Sequence, residues 1–477
     1  MTPNRASFLA QGNQAFRDGD YKLATRRYLA GAQSLNGQSE LFPLLEANLT
    51  LARRHYLRQR MAARRGGAPA RVAVCGWDLA HNPAGRVLTL ADAYRRVTPR
   101  VEIIGAIFPR WGRDLWPPMQ GSKTPCHSIF VEDEADFVSQ ALQLVAEHPY
   151  DLVHLSKPRF PNLVFGLLYS LVWGAQVVWD IDDEELGFVA ASEPLPLKQA
   201  LGELGRLPPF NKLHASYWTR LTVGQVSRFG VATVSNPALQ QRYGGKLVPH
   251  VRDETRFVPS QNRRARARRR WGIPEHIKVV LFFGTPRRHK GLLETAQAIA
   301  ALGRDDVWFV IVGEFPDASL KNELQQVEVV NCRFIPDQPY GDIPDIVAIG
   351  DYTVLLQEGS SLVAQFQLPA KLVDALAMGL VVFAHVTPAT QWLADEGAII
   401  PVKPETLGLA LRRQLGEEEH YEKRGSDRKI FLEKLSLSSC EDTLRDIVSL
   451  PVVNSQSWQE NLLPLISGRI EGLLVSN

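Results

Sequence analysis

Short, nearly continuous apolar runs recur along the chain and set its first expectation. RVAVCGW begins at Arg71, VEIIGAIF at Val101, DLVHLS at Asp151, AQVVWDI at Ala175 and VATVS at Val231. A second series follows residue 270: KVVLFFG from Lys278, WFVIVGE from Trp308, VEVVNCRFI from Val327, DYTVLL from Asp351 and LVVFAHV from Leu380. Helical segments separate the runs. Strands alternating with helices predict parallel sheets wound on both faces. Two series predict two such α/β domains facing a cleft, with ligands outside the carboxyl ends of the strands. The polar, proline-containing stretch KLVPHVRDETRFVPSQNRRARARRRWGIP reads as the connection between them.

The most apolar stretch, LVFGLLYSLVWGAQVVW at 163–179, approaches the length of a membrane span. Gly166, Ser170, Gly174 and Gln176 argue against one, as does the acidic run that follows. It reads as a buried helix over about 161–173, a glycine stop and a buried strand over 176–181. Residues 5–36 read as a helical hairpin turning at RDGDY, where Gly19 is free to adopt a left-handed conformation. A second helical segment follows at 39–64.

Composition narrows the class. The 477 residues are 45% apolar and 22% charged, ordinary for a soluble globular protein of two large or three smaller units. Cys75, Cys126, Cys332 and Cys440 are dispersed and form no CxxC, so neither a disulfide framework nor a zinc motif is expected. Net charge is +3, which gives no general argument for nucleic acid. Residues 1–30 lack an apolar core beside a basic start, so a cytoplasmic protein without a secretory signal is expected.

The densest local signal is KVVLFFGTPRRHKGLL at 278–293. A strand runs into Gly284 and Thr285, a loop carries Arg287, Arg288, His289 and Lys290, and Gly291 opens a helix. Glycines, a helix N-terminus and cations suit a polyphosphate, although no Walker A loop is present. A solvated basic loop is the plain alternative. Glu314, at the end of WFVIVGE, stands where an acid accepts hydrogen bonds from a ribose or base. In QLPAKLVDALAMGLVVFA, Lys371 and Asp374 share one face near a helix start. An anion would explain a lysine in the first turn, and an intrahelical ion pair is the alternative.

The order strand, glycine, basic loop, KG and helix, then VIVGE, then KLVDALAMGLVVFA, resembles the C-terminal half of the retaining nucleotide-sugar glycosyltransferases of family 4, which have the GT-B fold. VPHVRDETRFVP, VATVSNPALQQRY and WDLAHNPAGR resemble that family's linker, its T-V-S segment and its first glycine loop. The resemblance covers about residues 71–450. It implies a donor diphosphate held by Lys290 with Arg287 or Arg288 and Lys371, a ribose on Asp374 and a nucleoside near Glu314. It implies Gly85 close to the donor phosphates and acceptor, no metal in the chemistry, and retention at the anomeric carbon. Residues 5–36, with Gly12, Ala24, Tyr28 and Gly31 at the small and aromatic positions, similarly resemble one tetratricopeptide repeat.

The sequence departs from the family 4 pattern at two places. Thr285 stands where an arginine commonly follows the glycine. Phe366 stands where the first acid of a spaced pair is expected, with Glu358 farther back and Gln365 a substitute.

In the first half, VVWDIDDEE places Asp180, Asp182 and Asp183 after a buried strand. By position Asp182 replaces a histidine that faces the reacting sugar in the family. Three readings stand: a group that binds or deprotonates the acceptor hydroxyl, a hard-cation site, or a helix cap. His81, Asn82 and Arg86 flank Gly85 in the first loop, which otherwise reads as an ordinary turn. His154, His214 and His250 stand singly and read as structural. RRARARRRW at 263–271 has six arginines in eight positions. It reads as a solvated linker helix, with peripheral attachment to an anionic inner membrane face next.

The expected organisation is a tetratricopeptide-like hairpin at 1–66 and a Rossmann-like acceptor domain at 71–250. A linker at 251–273, a Rossmann-like donor domain at 274–425 and closing helices with a tail at 426–477 follow. The expected activity is transfer of a hexose from a UDP- or GDP-sugar, used as substrate with no cofactor required, to an acceptor hydroxyl of a surface polysaccharide or lipid-linked glycan. Lys290, Arg288 and Asp182 are the expected catalytic groups. Gly85, Gly284, Thr285, Arg287, Glu314, Lys371 and Asp374 are the expected donor contacts. The alternatives are a protein O-glycosyltransferase that binds its target through the hairpin, a degenerate scaffold, and a sugar-nucleotide epimerase.

Overall fold

The computed structural model describes residues 5–34, 39–202, 212–228, 230–327, 331–356, 361–416, 428–450 and 462. The tail at 452–477 therefore lies, apart from Leu462, outside the described residues, as does Glu358. Two wholly parallel sheets organise the chain. The first contains β1 (Arg71–Gly76), β2 (Arg100–Ile107), β3 (Cys126–Phe130), β4 (Leu152–Ser156), β5 (Gln176–Ile181), β6 (Ala232–Val234) and β7 (Lys246–Leu247), in the order β3-β2-β1-β4-β5-β6-β7. The second contains β8 (Lys278–Phe283), β9 (Val307–Val312), β10 (Asn331–Ile335), β11 (Tyr352–Leu355), β12 (Val381–Ala384) and β13 (Ile400–Pro401), in the order β10-β9-β8-β11-β12-β13. Central strands such as β4 and β5 are buried at every position, because helices cover both faces. The expected two-domain α/β architecture is present.

β3 escaped the sequence reading. It is an edge strand, CHSIF, whose residues are only half-buried, so it never forms an apolar run. The apolar stretch at 163–179 folds as read. A helix spans Phe160–Trp173, Gly174 ends it with φ of 60°, and β5 follows. Thirteen of that helix's residues are buried between neighbouring elements. Among the described residues no helix is long and apolar enough to cross a membrane.

At the N-terminus α1 (Arg5–Arg17) and α2 (Tyr21–Gln33) form the hairpin, with Gly19 at φ of 76° in the turn. Gly12 lies against the Tyr28 ring, where a Cβ would come within 2.4 Å of Cε1. The third helix, α3 (Phe42–Arg65), fastens the pair to the first domain. Tyr56 meets Trp173 with ring centres 4.8 Å apart, and Arg60 pairs with Asp151 at 2.7 Å. Leu29, Leu45 and Trp173 share one continuous core.

The 251–273 segment is packed rather than loose. Phe257, Ala267 and Ile273 enter the core of the second domain. The arginine run forms the helix Gln261–Arg270, with Arg268 buried, Arg263 and Arg264 half-buried and the other three arginines exposed. Arg264 and Arg268 pair with Asp351 at 2.6 and 2.8 Å, Arg263 with Asp345 at 3.0 Å and Arg270 with Asp342 at 3.5 Å. The solvated-helix reading therefore holds for one face only, where Arg266, Arg269 and Arg270 are exposed, while the other three arginines are held by Asp351 and Asp345. The end of the chain returns to the first domain. Leu437, Cys440, Leu444 and Ile447 pack with Val87 and Leu90 of the helix Ala84–Arg95.

Candidate functional site

The carboxyl ends of both sheets open on one cavity of about 650 Å³. Trp77 directly follows β1, Lys157 follows β4 and Asp182 follows β5, while Phe282 of β8 and Leu355 of β11 line the other side. Each sheet reverses its strand order at this place, β1 beside β4 and β8 beside β11, so diverging connections leave a crevice.

On the first-domain wall every member of the acidic run meets a cationic side chain, and Asp182 and Asp183 share one. Arg86 donates to both oxygens of Asp180, at 2.9 and 2.7 Å, and to the carbonyls of Val248 and Pro249. Asp182 lies 3.0 Å from Lys157 Nζ and 2.9 Å from His250 Nε2. Asp183 pairs with Lys157 and accepts a 2.9 Å bond from Gln367, which belongs to the opposite wall. Glu184 pairs with Arg242 at 2.7 Å and Glu185 with Arg159 at 2.5 Å.

Lys157 sits between Asp182 and Asp183, and arginines meet Asp180, Glu184 and Glu185, so cationic side chains already occupy the place that a hard cation would take in this run. No α-helix starts on it either, only a short turn at Gly187–Val189, which removes the capping reading. Burial alone would raise the pKa of Asp182, but Lys157, His250 and Arg86 outweigh it and hold the carboxyl well below its ordinary range. His250 thus belongs to the site rather than to the structural histidines. Lys157, at φ of 73°, holds a left-handed conformation that a lysine rarely adopts. Aromatic side chains, Trp77, Trp111, Trp116 and Phe188, form the remaining floor.

The second-domain wall is cationic. Lys371, in the first turn of the helix Ala370–Ala377, turns into the cavity over the Phe282 ring at 4.2 Å. Lys290 lies beside it and donates to the Thr285 carbonyl at 2.7 Å. Among the described residues neither ammonium has a carboxylate within ion-pair distance. Burial, reinforced by Lys290, lowers the pKa of Lys371 to about 7, and burial with Arg287 lowers that of Lys290 to about 8. Gly284, at φ of 98°, brings its backbone close to Lys371, where a Cβ would stand 3.7 Å from Nζ.

Of the residues singled out from sequence, Gly85 with its neighbours His81, Asn82 and Arg86, Asp182 with Asp183, and His289, Lys290 and Lys371 line the cavity. Gly284 and Thr285 stand at its edge through their contacts with the two lysines. The others are elsewhere. Arg288 is drawn outward into pairs with Glu323 and Asp317, and Arg287 is exposed beside it. Glu314 is exposed beyond β9. Asp374 is buried and pairs with Arg252, 2.5 Å from its Nε. The 367–371 approach is lined by Gln367 in place of Gln365.

Lys157, Arg159, His250, Arg252, Gln367 and the tryptophans were missed. Each lies just past a strand or in a connection, where sequence pattern is silent. Asking which residue immediately follows each parallel strand would have found Lys157.

The lysines make stability depend on pH. Their folded pKa values lie below the ordinary 10.5, so the unfolded chain binds more protons between about pH 7 and 10.5. Stability from Lys371 therefore rises with pH across that window, and from Lys290 above about pH 8. Melting of the unliganded protein should show this rise, reduced in Lys371→Met. A polyanion in the cavity would favour the protonated lysines, so a melting increment from added pyrophosphate should shrink from about pH 7 to about pH 9, the range above the Lys371 pKa.

Residues 263–429 match the family model described as glycosyl transferases group 1. A 140-residue stretch is 29% identical to WcaI of Escherichia coli (strain K12), whose name assigns it to colanic acid biosynthesis as a glycosyl transferase. That stretch is 28% of this chain and 34% of the relative, so the chain spans about a third of that relative's length. The structure superposes on Anabaena Alr3699/HepE, solved with UDP and glucose, at a TM-score of 0.56 and 16% identity, covering 80% of this chain and 100% of the other. It also superposes on WaaG, a glycosyltransferase involved in lipopolysaccharide biosynthesis, at a TM-score of 0.53 and 15% identity, covering 80% and 100%. These similarities establish the GT-B fold for the two-domain frame and a glycosyl transferase group 1 domain in its second half.

Proposed function

We propose that this protein is a glycosyltransferase that moves a hexosyl group from a UDP-sugar to a hydroxyl of a polysaccharide or lipid-linked glycan, with retention. The observation that carries this reading is the pair of half-buried lysines, Lys290 and Lys371, facing the cavity without a carboxylate within ion-pair distance among the described residues. Burying two ammonium groups opposes folding unless an anion compensates. The backbone at the start of the helix Ala370–Ala377 adds free N–H groups. A diphosphate between them would acquire the stabilisation that a leaving group needs without a metal. GDP-sugars fit the same cationic chemistry. UDP is favoured because the HepE structure contains it.

In the reaction the bond from the anomeric carbon to the diphosphate oxygen breaks, and its electron pair leaves with the nucleotide. The acceptor oxygen forms the new bond to that carbon. Asp182, kept ionised by three cations, is too weak a base to take the proton at neutral pH. It is suited to orienting the acceptor hydroxyl and stabilising the positive charge that develops on the sugar. The proton passes to the departing diphosphate oxygen, which becomes basic as its bond breaks. Gln367 bonded to Asp183 spans the walls and supports a closed, water-poor cavity.

Calorimetric titration with UDP-glucose and GDP-mannose tests donor binding, and NMR of the glycosylated product tests retention. The reading fails if neither nucleotide sugar binds. The Arg252–Asp374 pair and Phe366 in place of an acid favour a second reading, a binding scaffold. A scaffold would bind donor without releasing UDP in the presence of any glycan acceptor.

A further inference from the structure

We propose that the first domain carries a separate metal site, formed by Glu102, His127 and His148, with the donor set of a borderline first-row divalent cation, zinc above all. Glu102 comes from β2, His127 from the edge strand β3, and His148 caps the end of the helix Phe137–Glu147. One ligand atom from each lies within 4.8 Å of the other two. The imidazoles stack with ring centres 3.9 Å apart, and His127 Nε2 stands 3.2 Å from Glu102 Oε2. Bonds of about 2.0–2.1 Å set ligand atoms roughly 3.4 Å apart around a tetrahedral ion. The set must close by roughly an ångström of side-chain rotation to reach that spacing.

The chemistry selects the ion. Two imidazole nitrogens and one carboxylate oxygen suit zinc and its neighbours, whereas calcium and magnesium take oxygen ligands. The Tyr150 hydroxyl donates to Glu102 Oε2 at 2.5 Å, the kind of outer contact that aims a metal-binding carboxylate. All three side chains are half-buried, which leaves a coordination position toward solvent. Cys126 packs against the core behind the sheet, so its sulfur is not part of the set. None of the three ligands lines the large cavity, and the site does not depend on the transferase reading.

The ligands join β2, the exposed edge of the first sheet and the end of a helix that α2 touches, where Arg26 stands 3.9 Å from Glu147. A bound ion would clamp that edge beside the N-terminal helices. Lys22 and Arg71 are within electrostatic reach and oppose a dication, which places the expected affinity in the micromolar range rather than tighter.

The test adds zinc chloride to metal-free protein. One equivalent should bind by calorimetry, with a rise in Tm of about 2 °C or more at saturation. Magnesium chloride should do neither. Cobalt(II) should give visible absorption typical of a nitrogen and oxygen site. His127→Gln and His148→Gln should each weaken zinc binding by at least about 10-fold, and Tyr150→Phe by about 10-fold, with UDP binding retained. Absence of zinc binding and of the cobalt spectrum in the unmodified protein would overturn the proposal. So would unchanged affinity in both histidine variants.

Discussion

Lys371→Met should weaken the proposed binding of UDP and UDP-glucose by about 100-fold, and Lys290→Met by about 10- to 100-fold, while the protein stays folded. On the proposed reading each ammonium would form charge-assisted bonds to phosphate inside the cavity, worth about 1.5–3 kcal/mol apiece. The methionine keeps the stem against Phe282 and removes only the charge. Because burial already disfavours the charged lysine, its loss leaves Tm at neutral pH unchanged or raises it. Arg288→Ala is the contrast. Its guanidinium is engaged outside the cavity by Glu323 and Asp317, so donor affinity should change by less than about twofold, as for an exposed pair. Calorimetry on the three variants decides the matter. Normal donor affinity in Lys371→Met would remove the diphosphate from this wall, and a large loss in Arg288→Ala would move it to the outer loop.

The second large effect is on stability. Arg86→Ala should cost about 3–5 kcal/mol, because it leaves the Asp180 carboxylate buried without its counter-charge. Arg86 donates to Asp180 twice and to the carbonyls of Val248 and Pro249, so one guanidinium joins the helix Ala84–Arg95 to β5 and to the chain leaving the first domain. Urea denaturation gives the measurement. Adding Asp180→Ala to Arg86→Ala should recover part of the loss, since the stranded charge is gone. Arg86→Ala with unaltered stability would show that the pair's desolvation cancels its attraction, and the double variant would then gain nothing.

Much of the frame was visible in the sequence for a plain physical reason. A strand buried on both faces must be largely apolar, so β1, β4, β5, β8 and β9 announced themselves. Edge strand β3, half-exposed, did not. The helix at 160–173 was legible because Gly174 supplies the left-handed stop that its pattern required. Lys290 and Lys371 were legible because each sits at a strand-to-helix connection next to a glycine or a helix start. Arg288 shares that loop with Lys290, yet its partners, Asp317 and Glu323, lie about 30 positions away in sequence, and nothing local announces them.

Local sequence, then, determined the periodicity of burial, the alternation of strands and helices, and the places where glycine lets backbone come close. These depend on neighbours along the chain. Which charged groups neutralise one another was decided only in three dimensions. Asp374 could pair with Lys371 on its own helix, but the packed chain brings Arg252 to it and leaves Lys371 facing the cavity. Charge pairing inside a protein follows distance and desolvation, and both are properties of the folded surface rather than of the order of residues.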